Sequence, residues 1–243
     1  MEFSLRRVKA LFKKEVKDFG KNINVSIMCI IPILLSIFYV KVSRADIIND
    51  PKIKVGLLLL CIGMNISFIA ISVIAMMIAE EKEKNTLRTL MLSAVSPWEF
   101  FTGKALITFI VSEVINVAIF FILGCDSKYL VPFIIITTLV IISMIEIGAI
   151  VGILSPSQMA TGVASMPVLG IFFVLPLMAD KNSMLGKITK LLPNYHMNSI
   201  LQKAFKGEGI FTGSFFGMAV IVGWIIICAI GFSLAYKKTG FDK

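Results

Sequence analysis

The sequence predicts an all-α integral membrane protein with six transmembrane helices. Its 243 residues are 57% hydrophobic, and the mean hydropathy of +0.91 is far above that of a soluble domain. Several runs carry no charge for about 17–25 residues, which is the length that crosses a bilayer as a helix. A charge-dense segment, residues 80–104, separates two of these runs. We therefore expect residues 1–243 to form a single transmembrane domain.

The first element, within residues 1–22, is predicted to be an amphipathic helix that lies along the membrane surface. Its apolar residues recur at three- and four-residue spacing: Leu5, Val8, Phe12, Val16 and Phe19. Its basic residues take the remaining positions: Arg6, Arg7, Lys9, Lys13, Lys14 and Lys17. This pattern is typical of helices that bind an anionic bilayer surface. A basic flank that only orients the first span is the alternative interpretation.

Six spans are predicted from the apolar runs. Their approximate bounds are Ile23–Val40, Val55–Ala79, Ala105–Gly124, Tyr129–Leu154, Gly162–Met178 and Phe215–Tyr236. Proline and glycine predict a kink or break inside two of them, at Pro32 in the first span and at Pro167, Gly170 and Pro176 in the fifth.

The distribution of basic residues predicts that both termini are cytoplasmic. With this orientation more Lys and Arg lie inside than outside, and seven of them precede the first span. The positive-inside rule favours that arrangement. It also accounts for the net charge of +9 without a nucleic-acid partner.

The polar segment, residues 80–104, contains a helix start signal. Ser96 suits the cap, Pro97 suits the first helical position, and Glu99 completes a capping box. We interpret the segment as a short cytoplasmic surface helix between the second and third spans, placed to dock a soluble partner.

A second amphipathic region, residues 180–214, lies between the fifth and sixth spans. Its apolar spacing predicts two short helices hinged at Pro193-Asn194. They either re-enter the outer leaflet under cover of protein or form an ordinary extracellular loop.

Four polar residues inside the spans are candidates for the substrate path. Glu113 and Glu146 are predicted at nearly the same depth, so that their carboxyl groups would be neighbours. Intramembrane carboxyls are costly, and they either contact a cationic group of the substrate or serve as protonated structural groups. Asn65 and Asn116 carry the same ambiguity, with a stronger bias to structure.

The sequence predicts no catalytic, cofactor-binding or metal site. It contains no G-x-x-x-x-G-K-[ST] phosphate loop, no H-E-x-x-H and no G-x-S-x-G. Its four cysteines, Cys29, Cys61, Cys125 and Cys228, show no paired spacing, and His196 is its single histidine.

Three runs near the second and third spans carry a family resemblance. They are Glu81-Lys82-Glu83-Lys84-Asn85-Thr86-Leu87, Ser93-Ala94-Val95-Ser96-Pro97-Trp98-Glu99-Phe100 and Gly103-Lys104. Together with the order of elements, they resemble the ABC-2 type permeases, in which the first run ends in Gly-Thr-Leu and Gly-Lys opens the third span. Asn85 stands here where Gly is usual, and the proline has moved to position 97. Asn also tolerates the left-handed conformation that Gly would supply.

The resemblance implies a non-catalytic permease subunit of an ATP-driven ABC exporter in a bacterial cell membrane. Two such subunits, identical or closely related, pair in the lipid bilayer, and separate ATP-binding subunits hold ATP and Mg beneath them. The implied ATPase-coupling residues are Glu80, Glu81, Glu83, Lys84, Thr86, Leu87, Arg88, Ser96, Pro97 and Glu99. The implied connecting-helix residues are Arg6, Arg7, Phe12, Lys13 and Phe19.

The resemblance also suggests a substrate. A compact permease with no large extracellular domain is similar to exporters of amphipathic or antimicrobial peptides, including phenol-soluble modulins and bacteriocins. Export of hydrophobic drugs, antibiotics or ions is the nearest alternative. A non-transporting immunity or sensor protein is the third.

Overall fold

The structure, a computed structural model, describes residues 4–43, 50–86, 96–178, 184–209 and 213–241. Within these ranges the chain is helical and contains no strand. The helices are α1 Leu5–Phe19, α2 Ile23–Val42, α3 Pro51–Glu83, α4 Pro97–Ile122, α5 Ser127–Leu154, α6 Gln158–Met178, α7 Met184–Thr189, α8 Pro193–Phe205 and α9 Phe215–Phe241. Of those described, α2–α6 and α9 are long and apolar enough to cross a membrane, so the all-helical prediction with six spans is confirmed.

Helix α3 is the centre of the bundle. In its most apolar stretch 78% of the residues are buried, against 22% in α2, α6 and α9. The middle of α3, Ile66–Val73, is a π-helical segment between two α-helical parts. Helix α5 packs directly on it, because Gly148 and Gly152 leave no side chain between the two backbones. A Cβ added at Gly152 would lie 2.6 Å from the carbonyl oxygen of Ala75. Small residues four apart allow this close approach of membrane helices.

Helix α4 begins eight residues before the predicted span, at Pro97 rather than Ala105. The predicted capping box is confirmed: Ser96 Oγ accepts from Glu99 N at 3.2 Å, and Glu99 Oε2 accepts from Ser96 N at 2.8 Å. It caps the third spanning helix itself, so the prediction of a separate surface helix beginning there is wrong. Residues 87–95 of the polar segment lie outside the described residues.

The predicted interruptions of the first and fifth spans are absorbed without ending the helices. Pro32 lies inside the continuous helix α2. Helix α6 runs through Pro167 and changes to a π-helical turn at Gly170–Val174 before its last turn, Leu175–Met178.

The two ends of the bundle differ. Helix α1 lies at the end where α3 finishes and α4 begins, which we call the junction end. Helices α7 and α8, the distal segment, occupy the other side of the bundle, and α8 begins at Pro193, the position predicted for the hinge. Asn194 reaches Ser67, which is sixteen residues from either end of α3.

Candidate functional site

The candidate site at the junction end is built around a buried carboxylate, Glu99. Besides closing the capping box, Glu99 accepts hydrogen bonds from the backbone nitrogen of Ser4 and from Arg7 Nε at 3.0 Å. Arg7 Nη2 completes the ion pair at 2.9 Å. Multiple donors to one ionised carboxylate make charge-assisted bonds, which are the strong ones. Glu99 therefore fastens the first turn of α1 to the first turn of α4.

A second set of charges joins α1, α3 and α4 one turn deeper. Lys104 Nζ lies 2.7 Å from Glu15 Oε1 and 3.3 Å from Glu81 Oε1, and these three residues are almost completely buried. The half-exposed Lys14 also pairs with Glu81. Two ammonium groups thus face two carboxylates, so the set is neutral as a whole, as a buried charge cluster must be to avoid a large desolvation cost.

Helix α1 contributes two charged groups to this set, Glu15 and Lys14, and the pKa of each is raised above its ordinary value. Burial raises the pKa of the Glu15 carboxyl, and the adjacent Lys104 ammonium opposes that shift. For Lys14, burial acts to lower the pKa, but the hydrogen bond to Glu81 and the attraction of the Glu81, Glu15 and Asp18 carboxylates together outweigh it and leave the pKa raised.

Gly103 allows α1 to lie against α4. A Cβ added at Gly103 would come within 2.8 Å of Leu11 Cβ, closer than real side chains approach. The Gly103-Lys104 pair noted in the sequence therefore has a physical reason: the glycine lets α1 touch α4, and the lysine then reaches the carboxylate that α1 carries.

The last turn of α3 holds two further helices. Lys82 Nζ donates to the carbonyl of Ile153 at 2.9 Å, near the C-terminus of α5. Glu83 Oε2 accepts from Gln158 N at 2.9 Å, at the N-terminus of α6. Each charge has the sign that the helix terminus it contacts prefers. The chain then turns at Asn85, whose φ of 57° is left-handed, as its substitution for Gly predicts.

A cavity of about 550 Å³ opens between α1, the end of α3 and the start of α6. Its lining includes Lys14, Glu15, Asn22, Glu81, Lys84 and Gln158. Basic and acidic side chains alternate around it, so the cavity belongs to the junction and shows no net preference for an anion or a cation.

The structure brings most of the predicted coupling and connecting residues together. Glu80 accepts from Asn22 Nδ2 at 3.2 Å and pairs with Lys84, and Thr86 bonds Glu81. Phe12 and Phe19 pack on the core, whereas Arg6 and Lys13 are exposed. Leu87 and Arg88 lie outside the described residues.

Sequence reasoning missed Glu15, Lys82 and Gln158. Only Glu15 had a visible signal. It lies three residues after Phe12 and seven after Val8, so it is a carboxylate on the apolar face of an amphipathic helix. Such a residue requires a buried partner, and Lys104 is that partner.

The four intramembrane polar residues lie at two levels of the bundle, with Glu113, Asn65 and Asn116 at one and Glu146 at the other. Glu113 accepts from Thr137 Oγ1 at 2.9 Å, and Glu146 lies nine residues further along α5, about 14 Å away along the helix axis. The prediction that the two carboxyls are neighbours is wrong, because α4 starts earlier than expected and Glu113 lies correspondingly deeper. Glu146 is buried, and its Oε2 has no hydrogen-bond partner among the described residues.

Asn65 and Asn116 have a structural role. Asn65 Nδ2 donates to Asn116 Oδ1 at 2.6 Å and to the carbonyl of Ser112 at 2.8 Å. Both side chains are fully buried. The pair therefore joins α3 to α4 inside the apolar layer, as polar side chains do between membrane helices.

Among the described residues, no group of three or more His, Cys, Asp or Glu side chains could hold a metal ion.

Comparison with family models matches residues 10–236 to the ABC-2 family transporter protein model. No curated protein matched the chain. Members of this family are transmembrane components that are generally non-catalytic and generally pair with an ATP-binding subunit. The match spans nearly the whole chain, and the chain therefore belongs to the ABC-2 family of transporter proteins.

Proposed function

We propose that the protein is the permease subunit of an ATP-driven exporter and that its junction end receives the ATP-binding subunit. A second permease subunit, a copy of this chain or a close relative, would complete the path. ATP and Mg would be held by the partner, so that this chain contributes the path and the moving element. The family membership supports this proposal, and the charged junction gives it a mechanism.

The observation that carries the proposal is the fastening of α1 to the start of α4 and the end of α3. Because Glu99, Lys104 and Glu81 are each held by a partner on another helix, a push on the segment between α3 and α4 moves α1 with it. Lys82 and Glu83 pass the same displacement to α5 and α6. Four spans would thus respond together to one contact.

The docking surface is tested by reversing one exposed charge on it. The Lys84 side chain is 64% exposed and its ion pair with Glu80 joins residues of one helix end, so Lys84→Glu removes none of the ion pairs that join α1 to α3 and α4. We expect it to lower co-purification with an ATP-binding subunit that is co-expressed with this chain. The matched control is Lys52→Glu, an exposed lysine at the opposite end of α3. Equal recovery of the partner with both variants would contradict docking at the junction end.

For the substrate, we propose an amphipathic peptide, on the strength of the resemblance to peptide exporters. Hydrophobic drugs are the second candidate, and a non-transporting sensor or immunity protein is the third. The discriminating measurement is ATP hydrolysis by the reconstituted complex in the presence of a cationic amphipathic peptide or of a hydrophobic drug. Stimulation by the peptide alone supports the proposal, stimulation by the drug alone replaces it with the second candidate, and stimulation by neither favours the third.

Glu113 is the residue we propose for contact with a cationic group of the substrate. Its half-buried carboxyl accepts from Thr137 through Oε1, and Oε2 would offer a negative charge to such a group. Glu113→Gln should therefore weaken stimulation by a cationic peptide and leave that by a neutral peptide unchanged. Glu146 lies on another level of the bundle, and Glu146→Gln tests this second candidate carboxyl in the same assay.

A further inference from the structure

One carbonyl in helix α6 lacks the donor that an α-helix would give it. In an α-helix the oxygen of Phe172 would accept from the backbone nitrogen four residues later, which belongs to Pro176 and carries no hydrogen. The backbone there is π-helical over Gly170–Val174, and the nitrogen of Leu175 donates to the oxygen of Gly170. Pro176 therefore interrupts the α-helical hydrogen-bond pattern at Phe172.

A side chain from the distal segment supplies the missing donor. Asn194 Nδ2 lies 2.7 Å from the oxygen of Phe172 and 3.3 Å from Ser67 Oγ, so one amide touches the π-helical segments of both α6 and α3. The orientation of the amide follows from the chemistry, because only its nitrogen can donate to a carbonyl. Asn194 is 3% exposed, so water does not compete for this bond.

The same stretch of chain is held at a second point by α9. Trp224 Nε1 donates to the carbonyl of Leu191 at 2.7 Å, just before α8 begins. The Trp224 ring also meets the edge of Phe172, with ring centres 5.2 Å apart. Asn194 and Leu191 therefore attach the distal segment to α6 and α9 together.

We propose that Asn194 is a positioning residue for transport: it latches the distal segment onto α6, and Pro176 makes the latch releasable. Because Pro176 removes the α-helical donor for the Phe172 oxygen, that oxygen exchanges Asn194 for water when the distal end opens. Opening then requires the exchange of one hydrogen bond and leaves the remaining helix intact. This latch goes beyond the proposed function, because it requires only that a transporter opens at this end and does not depend on the identity of the substrate.

The first test removes the Asn194 side-chain donor. It then restores a backbone donor within α6, so that the Asn194 donor is no longer required. Hydrogen–deuterium exchange is measured on peptides covering residues 170–178 of the purified permease in lipid nanodiscs. Asn194→Ala should accelerate exchange about tenfold, the equivalent of one hydrogen bond. Asn198→Ala, the same change one turn along α8, should not. Pro176→Ala restores a backbone N–H to α6, so the double variant Pro176→Ala/Asn194→Ala should exchange no faster than Pro176→Ala alone.

Each possible result of this comparison either supports or overturns the proposal that Asn194 is a latch. Wild-type exchange in Asn194→Ala, or a double variant that exchanges as fast as Asn194→Ala, overturns it. If Asn194→Ala fails to fold, recovery of a folded, protected protein in the double variant supports the latch, and failure to recover overturns it.

A second test separates a latch from a purely structural bond. In the complex with the ATP-binding subunit, ATP should accelerate exchange at residues 170–178 in the wild type and not in Pro176→Ala, whose helix no longer opens there. An equal response in both proteins, or in neither, overturns the latch. Co-purification of the subunits is measured separately, so a failure of the proposed docking is recognised as such.

Discussion

Lys104 is the residue on which the junction depends most. It is 2% exposed, and among the described residues it is the one salt-bridge partner of Glu15. Glu81, by contrast, also has Lys14. Removing one member of a buried charge set leaves the others without compensation, which costs far more than the net value of the set itself.

Lys104→Met should lower the free energy of unfolding by about 3–5 kcal/mol, because it leaves Glu15 buried and unpaired. Adding Glu15→Leu removes the unpaired carboxyl group, and we expect the double variant to recover most of the lost free energy of unfolding. Lys14→Met, whose side chain is 43% exposed, should cost only about 1 kcal/mol or less. Thermal unfolding of the detergent-solubilised protein measures all three. Equal unfolding temperatures for the single and double Lys104 variants would refute this assignment.

At the scale of elements, the central packing depends on α5 meeting α3 without intervening side chains. Gly148 and Gly152 lie four residues apart on the face of α5 that touches the π-helical and following parts of α3. Backbone contact of this kind cannot adjust by rotating a side chain. It therefore fixes the relative position of the two most buried spans.

Gly152→Ala should destabilise the protein by about 1–3 kcal/mol, the usual cost of overpacking. The added Cβ would meet the Ala75 oxygen at 2.6 Å and the Ala75 Cα at 2.9 Å, and neither backbone atom can move away independently. Gly223→Ala in α9 is the control, because nothing lies within 4 Å of its Cβ position. There the better helix propensity of alanine should leave stability unchanged or raise it by up to about 1 kcal/mol. Equal unfolding temperatures for Gly152→Ala and Gly223→Ala would contradict the close backbone packing of α5 on α3.

The elements also show which structural features can be predicted from local sequence patterns and which cannot. The six spans, the amphipathic α1, the capping box at Ser96 and the start of α8 at Pro193 follow from periodicity and capping chemistry within a few residues. The pair between Glu15 and Lys104 joins residues 89 positions apart, and no local pattern specifies which lysine a buried carboxylate will meet. The depth of Glu113 was misjudged for a related reason: the apolar run marks the membrane-embedded part of α4, whereas its cap marks the true start of the helix.

At the scale of the whole molecule, the proposals require one orientation in the membrane. The junction end carries the docking surface, so it must face the cytoplasm, where ATP is available. The distal segment would then face outward. Both ends offer an exposed position suited to labelling, namely Lys84 after α3 and Glu208 after α8.

We expect a cysteine at Lys84 to react with a membrane-impermeant maleimide only after the cells are opened. A cysteine at Glu208 should react in intact cells. The four native cysteines are buried or partly buried, and the unmodified protein serves as the labelling baseline. The reverse pattern would invert the topology and remove the junction from the side on which an ATP-binding subunit acts.

The pairing of Lys104 with two earlier carboxylates also bears on how the protein is made. Glu15 and Glu81 leave the ribosome before Lys104, and domains form from the N-terminus as synthesis proceeds. We therefore expect that Glu15 lacks its compensating lysine until α4 emerges, and that its carboxylate takes a proton or water in the meantime. The arrival of Lys104 then draws α1 and α3 together. Closure of the junction thus marks the moment in biogenesis at which the first three spans have become one unit.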